Sequence, residues 1–225
     1  MTGRDNKLWL QLWRDRQTDF HQNAVNQLLA RFWPSLNLVR GSRVFVPLCG
    51  KSRDMIWLAE QGHTVVGVEL SPIAVKAFFL ENRLKPSRRR VGKFTLWKHG
   101  GINILCGDYF SLTAGDLGAI DAVYDRAALT ALPEDIRRHY VAHLQLITPK
   151  SSEVFLLTTE DAEEHETLKQ ALGVGDEIRA LYSTGFEIDL AHVDSVFEAD
   201  PGFPDQPPAR VEYKVYRLTT RSDSQ

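Results

Sequence analysis

Leu8, Trp9, Leu12 and Trp13 recur at helical spacing within residues 7–17, and Ala24, Val25, Leu28 and Leu29 repeat that spacing shortly afterwards. The chain therefore opens with two predicted short helices. The pattern then changes. Residues 43–48 (R-V-F-V-P-L) are continuously apolar after the first, as expected of a strand buried on both faces. Met55, Ile56, Leu58 and Ala59 return to helical spacing, Gly62 marks a helix stop, and residues 64–70 (T-V-V-G-V-E-L) predict a second buried strand. Ser71 followed by Pro72 predicts a capped helix start, because proline at the first helical position lacks only an N–H that would have no partner there. Further strands are predicted at 94–98, 102–106, 119–124 and 153–159, with a helix at 133–147. Short apolar strands alternating with helices predict an open, doubly wound α/β sheet. Residues 187–196 and 211–218 read as two last strands joined by a Pro- and Gly-rich loop; with no helix between them they should pair antiparallel.

With 225 residues, of which 43% are hydrophobic and 25% charged, the chain has the composition of an ordinary globular protein. It is read as one domain over 1–225, with 1–40 forming N-terminal helices. A formal net charge of −2 gives no overall electrostatic reason to expect nucleic acid or an anionic membrane, so a small-molecule partner is the expectation. Cys49 and Cys106 each end an apolar run, as free buried thiols do in a reducing compartment. The N-terminus lacks the basic-then-apolar pattern of a secretory signal, and no apolar run approaches the roughly 20 residues of a membrane span. A cytoplasmic, monomeric protein is expected. The basic run K-P-S-R-R-R at 85–90 reads as a solvated loop, and the acidic stretch 160–166 as the first turn of a helix. His139 and His143 stand four apart on a predicted helix, but no third ligand accompanies them, so no metal site is assigned.

In an open α/β sheet, ligands settle beyond the carboxyl ends of the strands where the winding reverses, which directs attention to the exit of the first strand. It reads V-F-V-P-L-C-G-K-S-R-D, with Gly50 at the turn and Glu69 at the end of the next strand. Gly50 lets backbone approach a ligand without a Cβ, and a carboxylate after the second strand can accept from both hydroxyls of a ribose. A nicotinamide dinucleotide would need the G-x-G-x-x-G approach to its pyrophosphate, and this loop has a single glycine. S-adenosylmethionine carries no phosphate and needs no such run.

A longer set of residues carries a resemblance. It comprises Trp9, Trp13 and Phe20-His21-Gln22; R-V-F-V-P-L-C-G-K at 43–51; G-H-T-V-V-G-V-E at 62–69; and D-R-A-A-L at 125–129. Together these resemble the thiopurine S-methyltransferase family of class I S-adenosylmethionine-dependent methyltransferases. The resemblance implies a Rossmann-like α/β fold: a doubly wound, mostly parallel seven-stranded sheet, an antiparallel C-terminal strand and N-terminal lid helices. It implies S-adenosylmethionine as cofactor, with contacts from Trp9, Trp13, Leu48, Gly50 and Glu69, and with Asp108 and Tyr109 of C-G-D-Y-F beside the adenine. Asp125 and Arg126 are assigned to the same binding role: Asp125, at a strand's carboxyl end, could act as a weak base, hold the cofactor's ammonium or pair with Arg126, and it is assigned binding and not catalysis.

The activity so implied is methyl transfer to a thiopurine or a similar soft nucleophile, a thiol, selenium or tellurium compound. No residue is assigned a catalytic role, because displacement at a sulfonium by an aromatic thiolate needs alignment and exclusion of water more than proton transfer. Phe20 would lie against the acceptor. Arg137 aligns with an arginine near the acceptor, with Arg138 as a one-residue alternative and a solvated helix face as the competing reading. Where the family carries a Gly-Pro-Pro-Phe-like loop, this chain has E-D-A-E-E-H-E after Thr159, and 200–210 holds no match to the family's second acceptor-side arginine. A binding protein without transfer activity, acting as sensor or partner, is the alternative.

Overall fold

The computed structural model describes residues 3–18, 21–161, 174–199 and 207–221. They divide into two compact units, Met1–Tyr124 with Ala142–Ser152, and Asp125–Val141 with Glu153–Gln225.

In the first unit, α1 (Gly3–Arg14) packs against α4 (Pro72–Glu81). The second predicted helix, α2 (Gln27–Phe32), starts later than the apolar spacing suggests. Asn26 has an extended backbone and its side chain accepts from the amides of Leu28 and Leu29, so it caps the helix and leaves Ala24 and Val25 outside. A 3₁₀ turn (Trp33–Leu36) leads into β1 (Arg43–Val46), α3 (Asp54–Glu60) and β2 (Thr64–Glu69). The Ser71 cap is as expected, its hydroxyl accepting from Ala74 N at the start of α4.

β1 lies between β2 and the first residues of β6 (Ala122–Arg126), parallel to both, and β2 pairs in parallel with β5 (Ile102–Cys106). The winding therefore reverses at β1, which makes its carboxyl end a topological switch point. Both faces of β1 and β2 are buried, which accounts for their unbroken apolar character. Gly67 of β2 is obligatory for packing: a Cβ there would lie 2.8 Å from Cys49 Sγ and 3.2 Å from Met55 Sδ.

The described residues form nine strands, two more than the seven expected. The strand that the apolar pattern did not predict is β3 (Ser87–Val91), which forms a hairpin with β4 (Phe94–His99), the strand expected at 94–98; β4 in turn runs antiparallel to β5. The basic run is thus a strand and not a loop. Gly92, at φ +53, begins the two-residue connection that turns the hairpin, a position that needs the left-handed region.

In the second unit, β7 (Glu153–Asp161), β9 (Ala209–Thr220) and β8 (Phe186–Glu198) form an antiparallel run in that order, with α7 (Val174–Tyr182) against β8. Antiparallel pairing of the last two strands is as expected, with a register shift between Leu190 and His192. Glu160 and Asp161, read from sequence as the start of a helix, are the last residues of β7; the remainder of that acidic stretch lies outside the described residues. α6 (Glu134–Ile147) occupies the predicted helix almost residue for residue.

Candidate functional site

The loop between β1 and α3 carries the first part of the site. Leu48 has φ +45 and Gly50 φ +53, so two of three consecutive residues take the left-handed conformation. For leucine this costs about 1 kcal/mol or more and persists only where surrounding contacts fix it. Those contacts are specific. Cys49 N donates to Val68 O at 2.9 Å, extending the β1–β2 ladder, and Gly50 N donates to Glu69 Oε2 at 2.9 Å. Ser71 N donates to Glu69 Oε1 at 2.7 Å. Glu69 is thus suspended between two backbone amides, one from each strand exit, in a buried position.

Burial pushes the Glu69 carboxyl up to about 7, and the hydrogen bonds from the Ser71, Gly50 and Leu70 amides only partly oppose this. A carboxylate has about four acceptor positions, so capacity remains beyond these amides. A buried carboxylate held by backbone amides and no cation suits a ligand bearing neutral hydroxyl donors, as a ribose does. Trp13 lies over this loop: a Cβ on Gly50 would meet its ring at 3.5 Å. Trp13 is buried and Trp9, one turn earlier on α1, is half-buried.

Asp108 follows β5 and caps the short 3₁₀ turn Tyr109–Ser111, accepting from Phe110 N. Its neighbour Tyr109 turns its ring inward. The Tyr109 ring is only 1% exposed, stacked on Phe45 at 6.5 Å between centroids and edge-on to His143, so it belongs to the core. Both thiols sit close to Glu69. Burial, reinforced by that carboxylate, raises Cys49 well above its usual value and Cys106 to about 11, so both stay protonated. Neither is poised as a nucleophile.

Sequence reasoning missed the anchor of this loop. Asp54, in the quoted K-S-R-D, is buried and accepts from Tyr124 Oη and from Asn26 N, both at 2.8 Å. Its neighbour Arg53 donates to Asn23 O at 2.8 Å. The cofactor-side loop is thereby tied to the segment leading into α2. The signal available was a carboxylate at the first position of a largely apolar helix, which must find partners if buried.

In the second unit, Asp125 is fully buried. It accepts from Tyr140 Oη at 2.6 Å and from the amides of Ala128 and Leu129. Burial raises it to about 6 despite those bonds. It caps the D-R-A-A-L turn, whose Ala127 has φ +58. The Arg137 side chain is largely withdrawn from solvent. Its Nη1 donates to Glu177 at 2.6 Å, Nε to Leu132 O and Nη2 to Thr130 O, with both charged side chains nearly buried. Arg138 is exposed. A second cluster went unseen in the sequence: buried Glu160 accepts from Thr158, Lys214 and Tyr216. Alternation on β9 places Lys214 and Tyr216 on one face, a signal that the register alone makes legible. Phe20 lies outside the described residues. His143 has its Nε2 3.1 Å from Tyr109 O, and no group of three metal-ligating side chains occurs among the described residues.

A switch point with a buried carboxylate at the next strand's end, and no phosphate-binding glycine run, fits one class: an S-adenosylmethionine-dependent methyltransferase of class I fold. Solved structures agree on the fold. An S-adenosylmethionine-dependent methyltransferase from Anabaena variabilis superposes with TM-score 0.66 at 14% identity, covering 96% of this chain and 95% of that one. The Burkholderia thailandensis 1,6-didemethyltoxoflavin-N1-methyltransferase, solved with S-adenosylhomocysteine, gives TM-score 0.59 at 15% identity over 95% of this chain and 87% of its own.

The chain belongs to the thiopurine S-methyltransferase family, whose profile matches residues 4–221. It is 65% identical over 219 residues to a thiopurine S-methyltransferase of Stutzerimonas stutzeri, covering 97% of this chain and 92% of that protein. The corresponding protein of Nitrosospira multiformis is 44% identical over 95% of this chain and 97% of its own length. The cofactor is S-adenosylmethionine. No helix among the described residues is long and apolar enough to cross a membrane.

Proposed function

We propose that this methyltransferase methylates sulfur on a thiopurine or a comparable soft acceptor, a thiol, selenium or tellurium compound, and that it serves detoxification of such compounds in the cytoplasm. The family match over 4–221 carries the reading. When bound, S-adenosylmethionine would supply an electrophilic methyl group on a sulfonium for in-line transfer to an anionic soft atom, with S-adenosylhomocysteine as the leaving group.

Glu69 holds the ribose hydroxyls through the lone pairs left free by the Gly50 and Ser71 amides. Trp13, with Trp9, covers the loop and excludes water, and an aromatic face is attracted to a cationic ligand. The left-handed turn at Leu48 and Gly50 brings backbone to the ligand. Asp108 is assigned to the adenine side. Asp125 acts by capping the turn that carries Arg126, which retains its assigned binding role, and Phe20 remains the proposed acceptor contact. For Arg137 the ion pair with Glu177 favours a structural role over acceptor binding.

An aromatic thiol ionises near neutral pH, so alignment and desolvation suffice and a dedicated base is unnecessary. The test is a comparison of kcat/KM across 6-mercaptopurine, its 6-hydroxy analogue, a selenol and a tellurium oxyanion with reductant. The reading expects the thiol and selenol to exceed the hydroxy analogue by at least a hundredfold. Equal or faster transfer to the oxygen acceptor would overturn it.

A further inference from the structure

Between Glu81 and Asp108 the chain holds seven of its 27 basic residues and none of its 29 acidic ones, although its formal net charge is −2. Charge is therefore strongly segregated. Five of the seven, Arg88, Arg89, Arg90, Lys93 and Lys98, stand on the β3–β4 hairpin, and all five are exposed. None of the seven forms an ion pair among the described residues. β3 pairs only with β4 and so presents an open edge.

Charges on an edge strand also keep it from pairing with other chains. One or two residues serve that purpose, whereas seven cations without a carboxylate add a repulsion that edge protection does not require. Two of the arginines are held in place. The Arg88 guanidinium lies 4.8 Å over the Trp97 ring, which itself stacks on Phe79, and Arg90 Nε donates to Gly92 O at 3.1 Å. They share one face of β3, about 7 Å apart along the strand.

We infer that the β3–β4 hairpin is a docking surface for the phosphodiester backbone of a nucleic acid. A protein partner or a membrane would call for an apolar anchor. The hairpin's large aromatic side chains, Phe94 and Trp97, are buried, and no large exposed apolar side chain occurs between Asn82 and Gly107. A partner recognised by dense regular negative charge alone fits what remains. Pairing of β3 with a second copy of itself is disfavoured, since it would set three arginines against three. The overall charge conceals this surface because the rest of the chain is acidic.

The test is fluorescence anisotropy of labelled 20-nucleotide RNA, single-stranded DNA and duplex DNA with the full-length protein at 50 and 200 mM KCl. With five phosphates neutralised, single-strand affinity should fall about a hundredfold between the two salt concentrations. R89E/R90E/K93E should weaken binding at 50 mM at least tenfold and flatten the salt dependence, while methyl transfer and thermal midpoint stay unchanged; the milder R89Q/R90Q should give an intermediate loss. Absence of binding at 50 mM KCl, binding undiminished in both variants, or tighter binding to poly-glutamate or phosphatidylserine vesicles would overturn the inference. Because methyl transfer is read separately, none of these outcomes bears on the enzymatic reading.

Discussion

Replacing Glu69 by glutamine keeps its size but turns one acceptor oxygen into an NH₂ group. That group must then face either Gly50 N or Ser71 N, now 2.9 and 2.7 Å from the carboxylate, donor against donor. The ribose loses a charged acceptor at the same time. Hydrogen bonds to charged groups contribute about 1.5–3 kcal/mol, so affinity for S-adenosylhomocysteine should fall by about 2–3 kcal/mol, roughly 30- to 150-fold. A pH series isolates the cause. Burial holds the carboxyl at about 7 in the free protein, so below that value a ligand that needs the carboxylate must displace a proton. Wild-type affinity should then rise toward tenfold per pH unit between 5.5 and 6.5 and level off above 7, while Glu69→Gln stays flat. The same shift acts oppositely on stability. The folded state keeps a proton that the unfolded chain releases, so the free protein loses up to about 3 kcal/mol as pH rises from about 4.5 to about 7. Isothermal calorimetry at pH 5.5, 6.5 and 7.5 reads the binding effects directly. A glutamine variant within threefold of wild type, or a wild type indifferent to pH, would refute the reasoning.

Other consequences follow from the packing. Arg137→Ala strands Glu177 in a nearly buried site and should cost about 3–5 kcal/mol, on the order of 10 °C in thermal midpoint; an unchanged midpoint with a raised acceptor KM would return Arg137 to the acceptor. Gly67→Ala drives a methyl group against Cys49 Sγ and should cost about 1–3 kcal/mol, with Cys49→Ala relieving at least half of it in a double-mutant cycle by urea unfolding. Asp54→Ala leaves the Tyr124 hydroxyl and the Asn26 amide without their acceptor; about 2–4 kcal/mol should be lost, and Tyr124→Phe should cost less in that background than in wild type.

The parallel strands were legible because burial on both faces leaves an apolar run, and β1, β2 and β5 lie close to where the pattern put them. Glu69 and Gly50 were legible through spacing, since a switch point fixes which strand ends can share a ligand. β3 was not, because an edge strand paired on one side and exposed on both faces has no apolar positions to betray it. Tyr109 and Arg137 illustrate a different limit. Family alignment locates a residue along the chain, but the direction of the Tyr109 ring depends on Phe45, 64 residues earlier, and the partner of Arg137 is Glu177, on another helix. The cap at Asn26 overrode the apolar spacing of Ala24 and Val25 because it satisfies two helix-start amides at once.

The most direct test of the account is transfer of isotopically labelled methyl from S-adenosylmethionine to 6-mercaptopurine, with the product resolved by mass spectrometry and its methylated atom assigned by NMR. The account predicts label on sulfur, at a rate that Glu69→Gln lowers when the cofactor is subsaturating. Label on a ring nitrogen, or no product from protein that binds S-adenosylhomocysteine, would contradict it.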